Sequence, residues 1–94
     1  KLHGHTFSVS ICLKGDVDST SGMIMDIYEL DKIFNKKIHT KLDHSHLNEI
    51  EGLSNPTTEH LIIWIWNVLK PYINHLHMVT GSEEKGAEFR YFGT

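Results

Sequence analysis

From Phe7 to Leu13 the chain alternates without a break. The odd positions are Phe, Val, Ile and Leu, and the even positions are Ser8, Ser10 and Cys12. Strand side chains alternate faces with period two, so this is a half-buried strand, read over residues 3–14. Gly15-Asp16 and the run Asp-Ser-Thr-Ser-Gly at 18–22 are turn chemistry. A helix is predicted to start near Asp26, an N-cap with Glu29 three residues on, and Met25 and Leu30 occupy the hydrophobic-staple positions. Ile27, Leu30, Phe34, Ile38 and Leu42 then recur at helical spacing, with Lys32, Lys36 and Lys41 on or near the wet side. Residues 43–54 read as a connection. The second helix starts within 55–58, capped by Asn55 ahead of Pro56 or by Thr57. Its stretch 61–66 is apolar on every side, the mark of an enclosed helix, and Pro71 ends it. Residues 76–82 and 88–92 are two further strands, joined by a turn at Lys85-Gly86. The order strand, helix, helix, strand, strand is α+β rather than a parallel βαβ array. A strand at one end of so small a sheet lacks a partner, and an N-terminal strand upstream of Lys1, paired with it as a hairpin, is expected.

At 94 residues a single domain, 1–94, is expected, and association is a plausible route to stability at this size. A net charge of −3 favours neither nucleic acid nor an anionic membrane as a non-specific partner. The lone Cys12 fits a reducing compartment. There is no apolar run of the roughly 18–20 residues that span a bilayer, and the start lacks a secretory layout. A cytoplasmic location is therefore expected. The first residue is not methionine, so the gene product is expected to begin upstream.

Histidine is the compositional outlier, with eight copies, including the close pairs His3/His5, His44/His46 and His75/His77. His3 and His5 share the parity of Phe7 and Val9, with α-carbons about 6.6 Å apart on a strand. Two imidazoles so placed can converge on one ion, and Gly4 between them allows close approach. A catalytic zinc has three protein ligands and one open position, so a third ligand is needed; His46 is one competitor. Asp43 beside His44 suits proton transfer, although on spacing alone ordinary loop polarity is the better reading. Glu83 and Glu84 sit late in the strand that starts at Leu76 or in its turn, where a buried carboxylate could grip a guanidine-like edge by two parallel hydrogen bonds. For Glu84 a turn residue in water is the better reading. Thr57, Thr58 and Glu59 offer first-turn N–H groups to an acceptor, but simple helix capping is the better reading from sequence alone. Trp64 and Trp66 are packing residues. Cys12 lies on the strand face opposite His3 and His5.

In series these signals are more specific. Leu-His-Gly-His (2–5), Gly22 with Asp26 after it, Leu-Asp-His (42–44) with Leu47-Asn48, Asn-Pro-Thr-Thr-Glu (55–59) and Glu83 eight residues before Tyr91 together resemble the 6-pyruvoyl-tetrahydropterin synthase family. Asp16-Val17-Asp18, Gly52-Leu53 and Trp-Ile-Trp (64–66) resemble its bacterial branch, the 6-carboxy-tetrahydropterin synthases of queuosine biosynthesis. The resemblance implies a tunnelling fold, an antiparallel sheet with two helices inserted between strands two and three. It implies homo-oligomers, trimers or dimers of trimers, and a small pterin substrate. It also implies zinc held by His3, His5 and a histidine of the first strand, and a catalytic cysteine just before the Leu-His-Gly-His. By the same match Asp43 and His44 are a proton-relay pair. Glu83 grips the pterin's 2-amino-pyrimidinone edge, and Thr57 and Thr58 help hold that ring. The chain departs from the family pattern at Ile27, His60 and Glu84, and the last leaves one residue of ambiguity about the anchor.

The reaction so implied is a zinc-dependent lyase acting on 7,8-dihydroneopterin triphosphate. It yields 6-carboxytetrahydropterin, acetaldehyde and triphosphate, or else the 6-pyruvoyl product. A pterin- or metal-binding module without turnover and a structural oligomer without metal are the other classes. Metal analysis of protein purified without a histidine tag separates these classes. Zinc is expected in the native chain and less of it in His3→Ala, and an unchanged content in the variant counts against the assignment.

Overall fold

The computed structural model describes residues 7–43, 57–83 and 86–94, with Asp43 described in its backbone alone. Three strands, β1 (Phe7–Leu13), β2 (Leu76–Glu83) and β3 (Glu88–Tyr91), form one antiparallel sheet in the order β1-β2-β3. Between β1 and β2 the chain forms α1 (Ile27–Phe34), a π-helical turn (Asn35–His39), α2 (Thr40–Asp43) and, later, α3 (Thr58–Leu69). The predicted α+β order therefore stands. His3, His5, the Asn55-Pro56 cap and the strand expected before Lys1 lie outside the described residues.

Alternation sets which side of the sheet meets the helices. Val9 pairs with Gly81 and Gly81 with Phe89, while Ile11 pairs with Val79 and Val79 with Tyr91. These residues share one face, and α3 packs on it. Ser8, Ser10, Ser82, Glu88 and Arg90 fall on the other face and give it a polar surface. The register shifts between Cys12 and Leu13, so that Leu13 faces Leu76 instead of His77. One extra residue on β2 reverses its alternation there. Leu76 is thereby buried, and His77 stands edge-on to Phe92 with centroids 5.4 Å apart.

The core is built on α3. Leu61, Ile62, Trp64, Ile65 and Leu69 are buried with Ile38, Ile73, Leu76 and Val79. The helix is less enclosed than its apolar run predicts: Glu59, His60 and Asn67 are exposed and Ile63 and Trp66 half-buried, because the sheet covers one side of it. Trp66 is partly buried and meets Tyr91 edge-on at 5.8 Å, as a packing residue should. The helix stops ahead of Pro71, and the Lys70 ammonium donates to the carbonyls of Asn74 (3.3 Å) and Leu76 (3.2 Å).

The first helical segment is looser. Asp26 is its N-cap, and its carboxylate accepts from the Tyr28 N–H at 2.9 Å, one residue earlier than Glu29. No residue of α1 is buried, and Ile27, predicted for the apolar face, is 55% exposed. The spacing Phe34, Ile38, Leu42 explains the π turn. Two successive four-residue steps overrun a 3.6-residue α turn, and a wider turn absorbs the excess. Ile38, inside that turn, is fully buried. Ahead of α1, the Asp18 carboxylate accepts from the Thr20 and Ser21 N–H groups at 2.8 and 2.9 Å. The Ser21 and Thr20 amide bonds hold that carboxyl below the usual aspartate value.

Ile65 is fully buried in the middle of α3. Ile65→Ala should lower stability by about 2–5 kcal/mol, seen as a lower urea midpoint at unchanged slope.

Candidate active site

The site is anchored where the N-terminal turn of α3 meets the end of β2. Thr57 takes extended backbone angles and its hydroxyl accepts from the His60 N–H at 3.1 Å, so it is the N-cap. Its hydroxyl is thus committed to the helix. Thr58, the first residue of α3, is 1% exposed and points at the sheet. Its Oγ1 donates to Glu83 Oε2 at 2.8 Å. Glu83 is the last residue of β2 and pairs with Phe7 of β1. The carboxylate therefore stands on the helix side of the sheet, one oxygen tied to Thr58. It is exposed rather than buried, which corrects the sequence expectation. The physical reason is its place at the strand end, beyond the cover of α3.

Carboxylates accept only, and a pair of oxygens matches a planar edge bearing two N–H groups. Tying one oxygen to a buried hydroxyl narrows the orientations in which the other lone pairs are offered. After Glu83 the chain turns back. The Gly86 N–H donates to the Glu83 carbonyl at 3.0 Å, and Gly86 has φ of 121°, which suits glycine alone.

Among the predicted site residues, the structure brings together Thr58 and Glu83 directly, with Thr57 adjacent as cap. Asp43 closes α2 in the backbone. His3, His5, His44, His46 and Glu84 lie outside the described residues. Among the described residues no group of three or more His, Cys, Asp or Glu could hold a metal ion. Two imidazoles are a fitting donor pair for zinc by ligand chemistry, and the pair in question is His3 and His5. Alternation alone passes over Gly81, which lies against α3; a glycine inside a strand is the signal that marks such a close approach.

An antiparallel sheet with helices on one face and an acceptor at the end of its middle strand defines an α+β domain of the tunnelling-fold class. The structure of *Caenorhabditis elegans* 6-pyruvoyl tetrahydropterin synthase superposes with a TM-score of 0.86 at 32% identity, covering 98% of this chain and 69% of that one. The profile described as 6-pyruvoyl tetrahydropterin synthase matches residues 1–94. The chain belongs to that family. The 6-pyruvoyl tetrahydrobiopterin synthase of *Dictyostelium discoideum* is 41% identical over 73 residues, 73% of this chain and 53% of that protein. The 6-carboxy-5,6,7,8-tetrahydropterin synthase of *Synechocystis* is 33% identical over 97 residues, 98% of this chain and 75% of that protein. The chain spans about half the length of the first of these.

Thr58→Val keeps the shape and removes the donor. Its cost should be about 1 kcal/mol in urea denaturation, the ordinary net value of one hydrogen bond, because the exposed carboxylate can turn to water. Thr58→Ser retains the donor and should cost less.

Proposed function

We propose that this chain carries the pterin-gripping part of a lyase that converts 7,8-dihydroneopterin triphosphate to 6-carboxy-5,6,7,8-tetrahydropterin, with release of acetaldehyde and triphosphate, on the route to queuosine. The observation that carries the reading is the Thr58–Glu83 bond, 2.8 Å long, at the open end of the middle strand. It supports Glu83 over Glu84 as the acid that receives the 2-amino group and ring N–H of a pterin. Thr58 orients that acid, and the first turn of α3, capped by Thr57, lines the same ring. Phe7, opposite Glu83, provides an apolar neighbour for a flat heterocycle. The match to the *Synechocystis* relative along nearly the whole chain supports the carboxy-type product.

His3 and His5 have the donor chemistry to hold zinc, which when bound would supply Lewis acidity toward oxygens of the substrate side chain. His44, oriented by the Asp43 carboxylate, would hold or move the proton exchanged with the adjacent carbon. Glu83 contributes no proton in this scheme. It fixes the ring so that the side chain extends toward the two histidines. Homo-oligomers, as trimers or dimers of trimers, are part of the same proposal. Among the described residues no helix is long and apolar enough to cross a membrane.

A second reading, formation of the 6-pyruvoyl product with the side-chain carbons kept, is favoured by the higher identity to the *Dictyostelium* protein. The full-length protein with 7,8-dihydroneopterin triphosphate should release acetaldehyde together with triphosphate. Triphosphate without acetaldehyde points to the second reading, and neither product overturns both.

A further inference from the structure

Thr58 meets Glu83 where the first turns of α3 pack on β2, and Gly81 lies under the same turns. Gly81 stands two residues before Glu83, on the same face of the strand. A Cβ built on Gly81 would lie 2.5 Å from Ile62 Cγ2 and 3.3 Å from Thr58 Cγ2. Thr58 and Ile62 are one helical turn apart, so they form a single ridge on the sheet-facing side of α3. Both are buried, at 1% and 3% exposure. The empty place at Gly81 is where that ridge is seated.

We propose that Gly81 is a positioning residue for recognition of the 2-amino-pyrimidinone edge: its missing side chain seats the Thr58–Ile62 ridge and so holds the Glu83 carboxylate in the plane that receives the ligand. The inference rests on Glu83 being the acid that meets the pterin. A methyl group at position 81 must open its contact with Ile62 from 2.5 Å to the 3.4 Å of ordinary contact. Ile62 is β-branched and its χ1 is nearly fixed in a helix, so the side chain cannot swing aside. The α3 backbone has to rise instead. An equal rise at Thr58 would take its bond to Glu83 from 2.8 Å to beyond the range of a hydrogen bond. Glu83 would keep its charge and lose its orientation.

The test uses the full-length protein and two fluorescent probes, neopterin and the lumazine with the same side chain, which carries oxygen in place of the 2-amino group. Gly81→Ala should weaken neopterin binding about tenfold, the worth of one charge-assisted hydrogen bond, and shrink the preference for neopterin over the lumazine by a similar factor. A purely structural defect would weaken both probes alike and leave the preference intact. Ile62→Leu removes the methyl on Cβ at nearly constant volume, so Gly81→Ala/Ile62→Leu should recover the preference. A folded Gly81→Ala protein with undiminished preference overturns the proposal. If Gly81→Ala does not fold, the double variant decides, and a folded double variant without the preference overturns it. Glu83→Gln separates the two levels. If it leaves neopterin binding unchanged, the pterin reading of Glu83 falls by itself. The crystal structure of Gly81→Ala then decides the geometry, and a Thr58–Glu83 bond still near 2.8 Å defeats the seating argument.

Discussion

The fold and the site share one constraint, the close packing of α3 on the middle strand. The helix carries an unbroken apolar run, 61–66, and buries most of it against the sheet. Its sheet-facing residues Thr58 and Ile62 settle over Gly81, and Ile65 is buried in the same core as Val79. The same seating that buries Ile62 and Ile65 delivers a buried hydroxyl to a carboxylate at the strand end. Packing energy, spread over many apolar contacts, thus supplies the precision of a single polar one.

That arrangement gives an exposed acid one buried partner, the Thr58 hydroxyl. Glu83 is beyond the cover of the helix, where water competes for both of its oxygens. A surface carboxylate in that position ordinarily samples many orientations. The Thr58 donor is buried, belongs to the first turn of a helix fixed by its core, and cannot follow the carboxylate into solvent. The acid is therefore oriented by a buried group, and the remaining lone pairs of its two oxygens can meet a ligand. Thr57 completes the turn by spending its own hydroxyl on the His60 amide, so the two adjacent threonines do different work.

The first helical segment answers to a weaker demand. It buries only Ile38 completely, and it does so through a π turn that keeps Phe34, Ile38 and Leu42 toward the interior. Without that wider turn the four-residue spacing would carry Leu42, and with it the end of α2 at Asp43, around the helix. The proposed relay pair begins with Asp43, where this segment ends.

Local pattern alone determined much of this protein. Alternation over Phe7–Leu13, the Asp26 and Thr57 caps, the all-round apolar run of α3 and the stop at Pro71 each follow from interactions within a few residues, which is why they are legible without coordinates. The order of the motifs also carried the family and the candidacy of Thr58 and Glu83. Other features were decided by tertiary structure. The reversal of alternation at His77 depends on how β1 and β2 pair, the exposure of Ile27 on what is absent above α1 among the described residues, and the openness of Glu83 on where α3 stops covering β2. The role of Gly81 is the clearest case. A missing side chain leaves no mark in a hydrophobic pattern, and its meaning emerges only when a helix from twenty residues away is laid on top of it.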